Sequence, residues 1–437
     1  MASYKAVAGT QDILPEQQPY WRFVEQTVEQ VMRLYGYQRI ETPTFEETAV
    51  FLRGVGEGTD IVEKEMYSFE DRGGDSLTLR PEGTAGTVRA YLEHGLFMKP
   101  QPVKLFYVRM EMFRYERQQR GRYREHHQFG CEALGETDPA VDAEIISLLM
   151  QIYRALGLQG IELHLNSVGD RNCRPRYVQA LLDYYRPLYD DLDPDCKVRF
   201  SKNPLRLLDC KEPRDQPKIA NAPKIVDYLC DECAAHFHEV RRLLDAAGVA
   251  YVIDPLLVRG LDYYTRTAFE AVPLASASRR QGVVGGGGRY DGLAELLGGR
   301  SAPGIGFGAG MERIIEFMQE QKIEVPADPP PAAYVAYVGA AAKAEAVRLT
   351  AELRQAGISA LLAFGDRTLK AQMKQANASG ARYVYVLGEE ELARGEVAVR
   401  MESSEGRQHF SVKRGEALAV AQGGSYHPII REGGSGE

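Results

Sequence analysis

The stretch FRYERQQRGRYREHHQFGCEALG, Phe113 to Gly135, gathers Arg114, Arg117, Arg120, Arg122 and Arg124 in a chain whose formal charge is −8. A guanidinium group stays charged and meets two phosphate oxygens at once, so arginines at a strand end and its hairpin loop form a phosphate clamp; the same residues also describe a solvated hairpin tip. In GIGFGAGMERI, Gly304, Gly306, Gly308 and Gly310 recur at period two. As a strand this leaves one face bare, for a flat ligand or for another backbone. Arg313 then falls in the first turn of a helix, where an anion would satisfy both the cation and the helix end. LVRGLDYYTRTAFE reads as an alternating strand with Arg259 beside Gly260 and a turn at Asp262. Gly285 to Gly288 in GGGGRYDGL should not hold a regular strand, and predict a mobile or closely approached loop ahead of Arg289, Tyr290 and Asp291. Neither GxGxxG nor GxxxxGK[ST] occurs, so a bound nucleotide would lie on an antiparallel sheet. Cys230 and Cys233 form a CxxC with His236 three further on and Cys210 upstream. That spacing suits zinc in principle, but ordinary thiols are the expectation and no metal site is assigned.

These residues need elements to hold them. A length of 437 residues implies two or three domains, and 44% hydrophobic with 26% charged residues is an ordinary globular composition. No apolar run is long enough to cross a bilayer, MASYKAVAGTQD lacks a leader pattern, and six cysteines are too few for a disulfide framework. A cytoplasmic protein with no membrane contact is expected. EVPADPPPAA (Glu324 to Ala333) reads as a linker, followed by alternating strand and helix signals with thirteen basic and twelve acidic residues from Pro331 onward. Upstream, Tyr20, Val24, Val28, Val31 and Tyr35 mark an amphipathic helix closed by Gly36; YQRIETP reads as a strand, and LTLRPEGTAGTVRAYLEHG as strand, turn and helix. KLFYVRMEMFRYE and REHHQFGCEAL read as a hairpin, and about Asp170 to Val249 as a helical insertion between sheet segments.

Taken in order, GTQDILP, RPEGT, FRYERQQRGRYREHHQFGCE, LVRGLDYYT, GGRYDGL, GIGFGAGMERI and DRTLKAQMKQANASGARYVYVLGEEEL resemble the signatures of the histidyl-tRNA synthetases, a class II aminoacyl-tRNA synthetase family. The resemblance implies an α+β catalytic core, a class II antiparallel sheet of six-stranded type flanked by helices, over residues 1–325 with a helical insertion at about 170–250. A linker at 326–332, a C-terminal α/β anticodon-binding domain at 333–425 and a tail at 426–437 would follow. It implies histidine activation by ATP with Mg2+, then transfer to tRNA(His). For ATP it implies Arg114 and Arg259 as catalytic arginines, with Glu116, Arg313, Gly306, Gly308 and Gly310. For L-histidine it implies Glu82, Thr84 and Gln128 at the ammonium, Glu132 and Tyr264 at the imidazole, and Tyr263 and Tyr290 enclosing it. For tRNA it implies the loop residues Arg117, Gln118, Gln119, Arg120 and Arg122, and a basic stripe of Arg367, Lys370 and Lys374 opposite Leu369, Met373 and Ala376 on one helix. Pro43 lies in the segment resembling the first class II motif and implies a homodimer. The alternative is a non-catalytic regulatory paralogue of ATP phosphoribosyltransferase, which tends to lose the catalytic arginine and lacks the anticodon module; Arg259 and the C-terminal residues argue for the enzyme.

Overall fold

The computed structural model of the chain describes residues 4–56, 59, 61–115, 123–210, 212–274, 282–365, 367–403 and 406–429. They fall in two units, Met1–Pro326 and Ala327–Glu437. The strands of the first are β1 (Gln38–Arg39), β2 (Phe45–Glu47), β3 (Tyr67–Glu70), β4 (Ser76–Leu79), β5 (Val103–Phe113), β6 (Glu125–Leu134), β7 (Ile161–Ser167), β8 (Val252–Ile253), β9 (Thr265–Pro273), β10 (Gly285–Arg289) and β11 (Gly304–Gly310).

The large sheet runs β1-β5-β6-β11-β10-β9-β7-β8. Its six central strands are antiparallel, and the two-residue edges β1 and β8 add parallel pairs to the expected six. One face is packed by helices. Gln18–Leu34 buries Trp21, Val24, Val28, Val31 and Met32, a three- and four-residue rhythm that turns one stripe to the core. Pro139–Ala155 starts at Asp138, whose carboxylate accepts from Ala140 N, and buries Ile145, Ile146, Leu148, Leu149, Ile152 and Tyr153. So broad an apolar surface suits a helix covered on more than one side, and it packs with Gln18–Leu34 and with Asp231–Ala246.

Between β7 and β8 the described residues are helical, with a core of their own that includes Tyr177, Leu181, Tyr185, Leu207 and Leu208. Within it Cys196 and Cys210 form a disulfide, so Cys210 is neither the thiol expected nor a companion of Cys230 and Cys233.

Two local readings are corrected. Gly285 to Gly288 form a buried central strand, because hydrogen bonding to β9 and β11 on both sides supplies the order that glycine lacks by itself. The alternating-strand reading of LVRGLDYYTRTAFE fails at its start: the strand begins at Thr265, and Arg259 to Tyr264 are irregular.

In the second unit, β12 (Ala333–Tyr337), β13 (Ala360–Leu362), β14 (Tyr383–Leu387), β15 (Glu396–Ser403) and β16 (Gly406–Lys413) form a sheet ordered β13-β12-β14-β15-β16, parallel among the first three and antiparallel thereafter. Helix Leu369–Ser379 starts after Thr368, whose hydroxyl accepts from Ala371 N, so Arg367 precedes the helix while Lys370 and Lys374 lie exposed on it. Leu369 is 38% exposed, contrary to its expected place on the apolar stripe; Ala376 and Gln372 are buried, the latter exchanging hydrogen bonds with the Tyr337 backbone.

Candidate active site

A row of residues crosses, in register, the face of the large sheet opposite those helices. Gly130, Gly308, Gly286, Glu270 and His164 are successive partners on β6, β11, β10, β9 and β7; Glu132, Gly306, Gly288, Ala268 and Asn166 form the next row. Glycines thus form a two-dimensional floor. A Cβ on Gly286 would lie 2.8 Å from Arg259 Nη1, one on Gly288 2.8 Å from the Tyr264 ring, and one on Gly304 or Gly306 would strike Tyr290 or the Glu132 carboxylate. Only Gly308 and Gly310 stay comparatively open, with Gln128 3.3 Å from the first and nothing within 4 Å of the second. The bare face expected of all four β11 glycines is therefore divided: Gly306 makes room for Glu132, while Gly308 and Gly310 line a cleft.

The cleft, of about 780 Å³, has the size of a small-molecule site and is lined by Arg114, Arg259 and Arg313 together with His126, Gln128, Glu270 and Glu312. Arg114 reaches it because of a bulge. Tyr107 opposes Gly130 and Met110 opposes Gln128, with Arg109 at φ 55° between them, so the facing parity of β5 reverses. Without that extra residue, Tyr107 and Arg114 would point to opposite faces. Arg114 Nε donates to Pro81 O at 2.7 Å, and Arg313 Nη1 to Val283 O at 2.8 Å. Arg259 is ion-paired with Glu270, lies over the Tyr264 ring at 5.6 Å, and its Nε has no hydrogen-bond partner among the described residues. His126, which sequence reasoning passed over, is held neutral: burial, then the charge of Arg114, then His127 and Arg313, bring its pKa down to about 3. Its signal was its place two residues before Gln128, on the same strand face.

Beside the cleft lies a closed polar nest. Glu82 accepts from Thr84 N at 2.7 Å and Ala85 N at 2.8 Å, capping helix Thr84–Glu93, and receives Tyr263 Oη at 3.4 Å. Thr84 Oγ1 donates to Glu132 at 2.8 Å, and Tyr290 Oη makes a short hydrogen bond to its other oxygen. Glu132 is fully buried, and this desolvation pushes its pKa up to about 8 despite hydrogen bonds from Tyr290 and Thr84; the nearby Glu82 adds to the rise. The rings of Tyr263 and Tyr264 are 4.8 Å apart and those of Tyr263 and Tyr290 5.7 Å. The structure thus brings together Glu82, Thr84, Glu132, Tyr263, Tyr264 and Tyr290. Gln128 belongs to the cleft side, and Tyr264 joins nest to cleft through Arg259. Glu116, Arg117, Gln118, Gln119, Arg120 and Arg122 lie outside the described residues. His236 is turned toward Asp142, 3.7 Å away, beside the buried Arg289–Asp142 pair.

The family model for histidyl-tRNA synthetase matches residues 9–169 and 213–314, and one for an anticodon binding domain matches 332–423. A histidine–tRNA ligase of Dehalococcoides mccartyi is 51% identical over 397 residues, covering 91% of this chain and 94% of that protein. That of Desulforamulus reducens is 51% identical over 405 residues, covering 93% and 96%. The apo histidyl-tRNA synthetase of S. aureus superposes with a TM-score of 0.79 at 38% identity, over 96% of this chain and all of that one. An ATP phosphoribosyltransferase regulatory subunit/histidyl-tRNA synthetase of Bacillus halodurans, 22% identical with a TM-score of 0.62 over 89% and 98%, shares the fold alone; it is the ligases at 51% identity that leave the regulatory alternative not favoured. By the extent of the family match and the identity of its relatives, the chain belongs to the histidyl-tRNA synthetase family.

Proposed function

We propose that the cleft binds ATP and the nest L-histidine, that the histidine carboxylate attacks the α-phosphorus to give histidyl-adenylate and pyrophosphate, and that the terminal ribose of tRNA(His) then takes the histidyl group. The observation that carries this reading is the adjacency of three arginines in one cleft to a fully buried carboxyl group, Glu132, in the next compartment. In-line displacement at phosphorus needs charge stabilisation and alignment rather than a covalent nucleophile. Arg114 would hold the α-phosphate and Arg313 the γ-phosphate. Arg259, set by Glu270 and by the missing side chain of Gly286, would face both the α-phosphate and the histidine carboxylate. Gly308 and Gly310 leave room for the nucleotide, and Glu116 would position it.

Glu132, now bonded to Thr84 and Tyr290, would exchange one of these partners for the imidazole N–H, with Tyr264 at the ring's other polar edge. Glu82, Thr84 and Gln128 would receive the ammonium group, and Tyr263 and Tyr290 the ring faces. Mg2+ is implied by the polyphosphate, but the cleft carboxylates fit a dedicated cage poorly. Glu270 is paired with Arg259, Glu312 with His127 and Asp254 with His164. Phosphate oxygens and water would be its principal ligands.

Exposed Lys370 and Lys374, with Arg367 ahead of them, could follow anticodon-arm phosphates, and the loop from Arg117 through Gln118, Gln119 and Arg120 to Arg122 the acceptor end. A homodimer across the Pro43 segment is supported by the exposure of Pro43 and of Phe45, half accessible on β2. No helix among the described residues is long and apolar enough to cross a membrane. ATP–pyrophosphate exchange across the twenty amino acids tests the reading: exchange with histidine alone is expected, and exchange with another amino acid, or none from folded protein that binds histidine, overturns it.

A further inference from the structure

The root of the helical insertion holds a second constellation that the aminoacylation reading leaves unused. Asp170 and Cys173 follow β7, and Cys230 and Cys233 open helix Asp231–Ala246; one donor atom from each lies within 4.8 Å of all the others. We propose that these four side chains form a tetrahedral site for zinc, clamping the first loop of the insertion to the helix that closes it.

Three features support this beyond proximity. The spacing fits: Asp170 Oδ1 is 3.7 Å from Cys173 Sγ and 4.0 Å from Cys230 Sγ. Bonds of about 2.3 Å to sulfur and about 2.0 Å to oxygen in a tetrahedron require ligand separations of about 3.5–3.8 Å. The surroundings also fit. Oδ2 of the same carboxylate faces Arg266 Nη2 at 3.4 Å, while Oδ1 accepts from Asn172 N at 2.9 Å and is turned toward the sulfurs, as outer partners orient a metal ligand. Asp170 N points at Cys173 Sγ at 3.3 Å, and Gly169, at φ 64°, has no room for a Cβ, which would stand 2.7 Å from that sulfur. Cys230 is the N-cap of a sixteen-residue helix and Cys233 lies in its first turn, so both sulfurs of the CxxC are carried on one rigid helix end. Finally, all three cysteines are free, and Cys173 and Cys233 are buried. A second group, Cys196, Cys210 and Asp215, has its two sulfurs joined in the disulfide and retains too few donors.

Zinc would enter as the divalent ion and release three thiol protons, giving a three-sulfur, one-oxygen shell. Arg174, next to Cys173, donates to Gly169 O at 3.2 Å and Tyr264 O at 2.5 Å, so the clamp would also steady the backbone of the proposed histidine pocket. The zinc assignment itself stands apart from the reaction proposed above.

Full-length protein, incubated with zinc under reducing conditions and gel-filtered, should carry one zinc per chain by elemental mass spectrometry. Cys173→Ser and Cys233→Ser should carry none, while Cys196→Ser keeps it. Cobalt added to metal-stripped wild type should give a thiolate charge-transfer band and intense tetrahedral d–d bands, which reads the site even if a serine variant fails to fold. Substoichiometric zinc with no cobalt bands in the wild type overturns the proposal, as does zinc retained by both serine variants, or a disulfide between Cys230 and Cys233 in protein purified under reduction.

Discussion

The cleft and the nest share one glycine-floored sheet face, yet handle charge in opposite ways. In the cleft, Arg114, Arg259 and Arg313 converge, and the ionisable base among them, His126, is kept unprotonated. In the nest an acid, Glu132, is kept protonated by burial and by its neighbour Glu82. Each compartment holds one titratable group in its uncharged form, a base beside the proposed polyphosphate and an acid beside the proposed imidazole. The difference teaches that burial sets the protonation state on each side while fixed guanidinium groups, Arg259 held by Glu270 among them, supply a preorganised field that costs little reorganisation when the ligand arrives.

The largest effect should come from Arg259, where the compartments meet. Arg259→Gln should lower the pyrophosphate exchange rate by about 10²–10³-fold, the usual loss of a donor aimed at developing charge, with a smaller loss of histidine affinity because the guanidinium also faces the substrate carboxylate. Exchange within tenfold of wild type would remove Arg259 from the reaction; an equal loss of histidine binding would merge the two compartments into one.

Glu132→Gln attacks the other side. It should weaken histidine binding about ten- to hundredfold in calorimetry, the cost of a mispaired buried polar group, and leave ATP binding intact. It should also alter stability against pH. The wild-type carboxyl ionises near its ordinary value when unfolded but only at about 8 when folded. Its contribution is therefore full at low pH and falls as pH rises from about 4.5 to 8. The variant's melting temperature should be flatter across that window, and an unchanged slope would contradict a neutral Glu132.

A smaller effect tests the floor. Gly288→Ala would place a Cβ 2.4 Å from Thr267 O and 2.8 Å from the Tyr264 ring, and should cost about 1–3 kcal/mol in chemical denaturation. Gly310→Ala meets nothing within 4 Å and should be close to neutral. Equal losses at both positions would mean that backbone freedom, rather than room for side chains, explains the glycines.

That floor also marks the limit of what the sequence reveals. Period-two glycines on β11 disclose a bare strand face, but only the registers with β6 and β10 show that its occupants include Glu132 and Tyr290. The GGGG run looks like a loop because local preference cannot report two hydrogen-bonded neighbours. The first helix was legible from its apolar rhythm, and the pairing of β5 with β6 from two strand-like runs on either side of an arginine-rich stretch. The bulge that turns Arg114 into the cleft was not, since nothing between Tyr107 and Met110 is glycine. Likewise the CxxC was visible while Asp170 and Cys173 were not joined to it, because their meeting depends on how sixty residues of insertion return to the sheet.

The subtlest test concerns His126. If its neutrality reflects the nearby arginines, a bound polyphosphate should raise its pKa from about 3 by cancelling the field of Arg114 and Arg313. In the free protein, this depressed value makes stability present above about 6.5, the unfolded value, and lost as pH falls toward 3. Pyrophosphate should therefore shift the His126 resonance in NMR titrations toward ordinary histidine behaviour, and calorimetry below pH 6 in two buffers should show proton uptake that His126→Asn abolishes. If pyrophosphate left His126 unmoved, burial alone would account for its neutrality, and the contrast between the two compartments would reduce to one of solvent access.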